Sequence, residues 1–154
     1  MTSKSPPDLP KLGDFLCFAV YSANLAFGRA YRPILDKLGL TYTQYVTLVA
    51  LSEGEDQTVG ELGDKLFLES NTLTPILKKL ESLGLVERRR DPADERQVRV
   101  NITSAGRKMQ RQIQVNAGSL REATGLGNDF AKVQKTVGRL RDNLLSNTGR
   151  AAVG

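Results

Sequence analysis

The chain has 154 residues, 40% hydrophobic and 25% charged, with no histidine and one cysteine. That is ordinary composition for one globular domain. The residue types present exclude an internal disulfide framework, Ser-His and Cys-His nucleophile pairs and nearly all catalytic zinc sites. No apolar run approaches the roughly 20 residues of a membrane span. The opening MTSKSPPDLPKLGD lacks the apolar core and cleavage site of a secretory signal, so a cytoplasmic protein with no membrane partner is expected. The net charge of +5 is concentrated between Lys78 and Arg111, where ten basic side chains face five acidic ones. A localised basic surface suits a polyanionic partner, although a solvated charged face has the same composition.

Residues 1–12 lack periodicity and read as a flexible arm. A first helix is expected from a cap at Asp14 to about Leu38, ended by Gly39 and bent late by Pro33. Its apolar residues Phe15, Leu16, Phe18, Val20, Leu25, Phe27, Ile34 and Leu35 occupy more than one stripe. Such a helix must be covered on several sides, and in a chain this small a second subunit is a natural cover. Thr41 or Thr43 caps the next helix, Gln44 to about Ser52, with Val46, Val49 and Ala50 turned inward. After a turn at 53–56, Thr58 caps a short helix to about Leu66, with Glu61 in the capping-box position. Ser70 begins and caps another helix to about Leu83, with Leu73, Ile76, Leu77 and Leu80 at core spacing. Pro75 falls early enough to be tolerated, and Gly84 is the stop.

The period then changes. Segments 85–90 and 97–102 read as two strands, because Val98, Val100 and Ile102 alternate with Arg99 and Asn101. Thr103 caps a long helix to about Ala123, Gly125 and Gly127 break it, and a last helix runs from about Asp129 to Leu145. Residues 148–154 read as a loose tail. The fold class is mainly α with a small β hairpin. Two short helices, a tight turn and a basic hairpin compose a winged helix-turn-helix over residues 39–102, flanked by helical regions 13–38 and 103–147.

In that arrangement the helix opening Ser70-Asn71-Thr72 would enter the major groove of duplex DNA. Asn71, Thr72 and Thr74 can reach base edges or phosphates, and Lys78 and Lys79 suit the phosphate backbone. The plainer reading is that Ser70 and Asn71 only cap the helix. On the hairpin, Arg88, Arg90 and Arg96 supply positive charge. Asp94 can hold Arg96 in a bidentate pair and aim it at a narrow minor groove; a surface ion pair of little worth is the alternative. No residue set suggests a metal or cofactor.

The strings LTPILKKLESLGLV and DERQVRVNIT, followed by Gly106-Arg107, resemble the core of the MarR family of bacterial regulators. That resemblance implies a homodimer formed by the first helix and the last two. It also implies a pseudo-palindromic operator and usually repression, the work of a regulator rather than an enzyme.

Cys17 falls in the first turn of the first helix, where free amides and the positive helix end favour a thiolate, the form that peroxides attack; the Asp14 charge opposes this. Tyr21 lies one turn on. Tyr31 is fourteen residues away, about 21 Å along a straight helix, so it can meet Cys17 only across an antiparallel pair of such helices, where Tyr42 could also approach. The strings LCFAVYSA, AYRP and LTYTQY are similar to those of the organic hydroperoxide sensors of the MarR family, the OhrR-like group. The similarity implies that Cys17 is the oxidised residue, that Tyr31 and Tyr42 hydrogen-bond its sulfur from the partner chain, and that Tyr21 shares the site. With no second cysteine, the sulfenic acid ends alone, as a mixed disulfide with a low-molecular-weight thiol, as a sulfenamide or over-oxidised. A regulator controlled by a small-molecule ligand, with Cys17 structural, and a thiol peroxidase are the rival readings.

Overall fold

The computed structural model describes residues 7–151; the expected arm's first six residues and the expected tail's last three lie outside the described residues. Two compact units are present, one up to Val115 and one from Asn116.

The first unit begins with a single 3-10 turn, Leu12–Asp14, and then α1 (Leu16–Leu38). Asp14 does not cap α1, contrary to expectation. Its amide donates to the Lys11 carbonyl, which closes the turn, and the extended backbone of Phe15 takes the cap position with no side-chain bond. Pro33 lies inside α1, which runs uninterrupted past it to Gly39, where φ is +71°. α2 (Tyr42–Ser52) opens with a complete capping box between Thr41 and Gln44, so two otherwise unpaired donors satisfy each other. Tyr45, Leu48 and Leu51 turn inward with Thr47 and Ala50, whereas Val46 and Val49 are only half-buried. Thr47 tolerates burial because its hydroxyl donates to the Thr43 carbonyl at 2.7 Å.

β1 (Gln57–Thr58), α3 (Val59–Leu66) and α4 (Ser70–Ser82) follow, then β2 (Val86–Arg90), β3 (Val98–Ile102) and α5 (Ser104–Asn116). Thr58 and Glu61 form the second capping box. Ser70 does not cap α4. Glu69 holds that position through its extended backbone, which makes Ser70 the first helical residue. The hairpin gains a third strand, giving an antiparallel sheet in the order β1-β3-β2, with Val86 opposite Ile102 and Gln57 opposite Val100. A two-residue strand carries too little alternation to be read from sequence.

One hydrophobic cluster ties these elements together. Leu35, Leu48, Leu51, Leu62, Leu73, Leu77, Leu80, Val86, Val100 and Ile113 are all buried in it. Two glycines let backbones approach closely. A Cβ at Gly63 would lie 2.6 Å from the Leu68 carbonyl oxygen, and one at Gly106 would meet the Leu85 carbonyl and the Ile102 side chain. Phe67, between α3 and α4, adopts φ +57°, and the Leu68 amide donates back to the Gly63 carbonyl at 3.0 Å. Together these residues set the tight helix-to-helix turn.

In the second unit, α6 (Leu120–Ala123) and α7 (Phe130–Ala151) flank a 3-10 turn at Gly127–Asp129. The long helix expected from Thr103 to Ala123 is therefore interrupted. Ala117, Gly118 and Ser119 form a turn in which the Leu120 amide donates to the Ala117 carbonyl at 3.0 Å, at a glycine of low helix propensity. α7 continues six residues past its expected end at Leu145, so residues 148–151 of the expected tail are helical. The Arg121 guanidinium stacks 4.5 Å above the Phe130 ring, and Val133, Val137, Leu144 and Leu145 are exposed.

Candidate nucleic-acid interface and thiol site

α4 is two-faced. Leu73, Leu77 and Leu80 are fully buried, while Ser70, Asn71, Thr72, Lys78 and Lys79 stand on the exposed side. The half-buried Thr74 donates its hydroxyl to the Ser70 carbonyl at 2.7 Å, so that proton is committed within the helix. The helix is thus anchored by leucines at one side and offers small polar groups and two cations at the other, the pattern of a groove-reading helix.

The loop from β2 to β3 is closed by its own backbone. The Asp91 amide donates to the Gln97 carbonyl at 2.9 Å, and the Gln97 amide to the Asp94 carbonyl at 2.9 Å. At its tip the Arg96 side chain is 93% exposed. One oxygen of Asp94 accepts from both the Arg96 amide, at 3.1 Å, and Arg96 Nε, at 3.4 Å. The expected bidentate pair is therefore not formed. The carboxylate shapes the turn and leaves the two terminal guanidinium nitrogens turned to solvent.

The basic residues of β2 divide. Arg88 donates to Glu81 of α4 through Nη2 at 3.0 Å and through its amide at 3.2 Å. These bonds hold the Glu81 carboxyl below its usual pKa. Arg88 therefore ties the hairpin to α4 rather than standing free for DNA. Arg90 makes only a long contact, 3.5 Å, to the Glu95 carbonyl, and is the more available cation.

A second set of contacts is illegible in the sequence. Asp56, at φ +52° in the turn before β1, clasps Asn101 of β3 at both ends. Its amide donates to Asn101 Oδ1 at 2.8 Å and its carboxylate accepts from Asn101 Nδ2 at 2.7 Å. The same carboxylate oxygen accepts from Arg89 Nη2 at 2.9 Å. Arg99 spans further. Its Nη1 donates to the Asp56 carbonyl at 2.7 Å and its Nε to Asp91 Oδ2 at 2.8 Å. Arg89 and Arg99 sit directly opposite each other in the strand register, a like-charge pairing that Asp56 and Asp91 offset. Hydrogen bonds from Asn101 and Arg89 lower the Asp56 pKa, and bonds from the Ala93 amide and Arg99 lower that of Asp91.

Cys17 is the second residue of α1 and is exposed. Around it Leu16, Phe18, Val20, Tyr21, Leu25 and Phe27 are also exposed. This half of α1 is an apolar face without a cover among the described residues. The structure brings Tyr31 and Tyr42 together with Tyr45, their ring centroids 5.1 to 6.5 Å apart. Tyr21 lies outside that cluster, 6.3 Å from the Phe18 ring. Burial, then the neighbouring Tyr31, raises the pKa of Tyr42 above its usual value of 10.0. Its hydroxyl therefore remains a proton donor throughout the neutral range. Tyr45 is shifted the same way by burial and then by Tyr31 and Tyr42, against a smaller lowering from its hydrogen bond with Gln114.

Residues 29–113 match the family described as transcriptional regulator SarA/Rot. The chain is 41% identical over 150 residues to the HTH-type transcriptional regulator TtmR of Methylorubrum extorquens, covering 97% of this chain and 77% of that one. It is 44% identical over 99 residues to the organic hydroperoxide resistance transcriptional regulator of Bacillus subtilis, covering 64% of this chain and 67% of that one. Among solved structures it resembles reduced AbfR of Staphylococcus epidermidis bound to DNA, with TM-score 0.75 and 32% identity over 87% of this chain and 94% of that one. No described helix is long and apolar enough to cross a membrane.

Proposed function

The chain belongs to the SarA/Rot family of transcriptional regulators, and on that premise we propose that it is a peroxide-responsive repressor switched by oxidation of Cys17. In its reduced state a homodimer binds a pseudo-palindromic operator. The two α4 helices occupy successive major grooves, where Ser70, Asn71, Thr72 and Thr74 meet bases and phosphates and Lys78 and Lys79 meet the backbone. The Arg96 wings lie in the flanking minor grooves, supported by Asp94, with Arg90 near the backbone.

One observation carries the redox half of this reading: the single thiol is exposed on the uncovered apolar face of α1. A second copy seated antiparallel on that face would bring Tyr31 and Tyr42 of the partner subunit to Cys17, with Tyr21 of its own chain nearby. The phenols would donate to the sulfur. The thiolate then attacks the peroxide bond of an organic hydroperoxide, taking one oxygen to become sulfenic acid and releasing the alcohol. The apolar surroundings favour an alkyl hydroperoxide over hydrogen peroxide. The added oxygen, or a low-molecular-weight thiol that condenses with it, disturbs the tyrosine contacts and shifts the two reading heads. Two heads matched to one groove spacing lose affinity steeply on a small rotation.

The test is operator binding before and after an alkyl hydroperoxide, for wild type and Cys17→Ser. Wild type is expected to release the duplex and to rebind after thiol treatment, while the serine variant stays bound. Equal release of both proteins by peroxide would eliminate the thiol as the switch. Release by a non-oxidising ligand would favour control by a small molecule instead.

A further inference from the structure

We propose that Arg99 is the strut that sets the angle of the wing, a positioning residue for Arg96 rather than a DNA contact itself. The inference rests on the reading above, in which Arg96 lies in a minor groove, and deepens it. Arg99 is the one side chain among those described that bonds both the body of the first unit and the wing loop. Nη1 takes the Asp56 carbonyl, in the turn between α2 and β1, at 2.7 Å. Nε takes Asp91 Oδ2, at the root of the loop, at 2.8 Å. Asp91 passes the constraint outward, its other oxygen accepting from the Ala93 amide at 2.9 Å and its carbonyl from the Asp94 amide at 3.2 Å. Asp94 in turn shapes the chain at Arg96.

The inner end of the strut is fixed. Asp56 is held by the two-ended clasp with Asn101 and by Arg89, and Asp and Asn are the residues other than glycine that best tolerate its left-handed backbone. The outer end is nearly as firm, since the Asp91 side chain is only 11% exposed. A planar guanidinium can hold two acceptors in directions fixed by its fork, which a lysine ammonium cannot. A two-stranded ribbon reaching beyond its helical support is otherwise free to sway, and a groove contact made at its tip needs the tip held in place.

The experiment uses the full chain and a duplex selected by the wild-type protein from a random library. Affinity and footprints are measured for Arg96→Ala, Arg99→Gln, Arg99→Lys and the double variant Arg96→Ala/Arg99→Gln. Hydroxyl radical reads the flanking minor grooves, and methylation of guanine N7 reads the major grooves. Arg99→Gln is expected to weaken binding about tenfold, the scale of one lost arginine contact. It should lose flanking protection and keep guanine protection, with only the small fall in unfolding midpoint that losing the Asp91 pair implies. The double variant should bind no worse than Arg96→Ala alone, and Arg99→Lys should recover part of the loss because it reaches one acceptor.

Additive losses in the double variant would make Arg99 a phosphate contact and overturn the strut. So would loss of both footprints together with a steep fall in the unfolding midpoint, which would mean that it merely holds the fold. If Arg96→Ala weakens binding and Arg99→Gln does not, the strut alone is wrong. If Arg96→Ala itself leaves affinity and flanking protection intact, the minor-groove reading fails first and the strut with it.

Discussion

The winged-helix part of the first unit and the first half of α1 both carry large apolar residues but give them opposite fates. From Leu35 to Ile113 most large aliphatic residues lie in or pack against one cluster, Leu83 being an exception, and the helix starts at Thr41 and Thr58 are closed by reciprocal side-chain bonds. From Phe15 to Phe27 the same kinds of residue face outward, and none of α1 before Leu35 is fully buried. The first region completes its fold within one chain. The second is folded as a helix but unfinished as a surface, and contiguous exposed apolar faces of that kind mark interaction sites. On the proposed reading, groove binding would rest on a self-sufficient core, while the thiol would sit where a second copy completes the surface.

The contrast can be broken by substitution. Leu77→Ala in the core is expected to cost about 2–5 kcal/mol of unfolding free energy, read from denaturant midpoints, with little dependence on protein concentration beyond that of wild type. Leu25→Ala on the bare face should reverse the pattern. Association should weaken by about 1–2 kcal/mol per copy, measured by sedimentation, while unfolding of the chain changes little. If Leu25→Ala leaves the assembly untouched, the face has some other partner or none. The smallest effect concerns acid. Asp56, Glu81 and Asp91 have pKa values below those of an unfolded chain, so their contribution is present above the ordinary carboxylate range near pH 4 and fades as pH falls through the lowered values. Thermal midpoints should therefore decline below about pH 4, with a flatter acid limb in Asp91→Asn. An identical limb would mean that the Arg99–Asp91 pair contributes nothing to stability.

The elements legible in the sequence were those with local causes. The box residues Thr41 with Gln44 and Thr58 with Glu61 lie three positions apart, and the α4 leucines recur at helical spacing. The misread helix starts, Asp14 and Ser70, fail for a shared reason: each was credited with a side-chain cap where the backbone of a neighbour, Phe15 or Glu69, makes the transition. The break at Ala117–Ser119 has a local signal in Gly118, but a weaker one than Gly125 and Gly127 give a few residues on. The Asp56 clasp could not be read at all, because its partners Arg89 and Asn101 are 33 and 45 positions away, and nothing local links them. For the same reason the sequence showed that Arg88 was basic but not that Glu81 had claimed it.

The turn between α3 and α4 separates frame from alphabet. Gly63 and the left-handed Phe67 fix how one helix follows the other, and neither belongs to the outward row of α4. Asn71, Thr72, Lys78 and Lys79 have no share in the buried cluster. If α4 reads the groove as proposed, a lineage or a designer could rewrite its outward letters to address different promoters, while the stem on which they are mounted stays as it is.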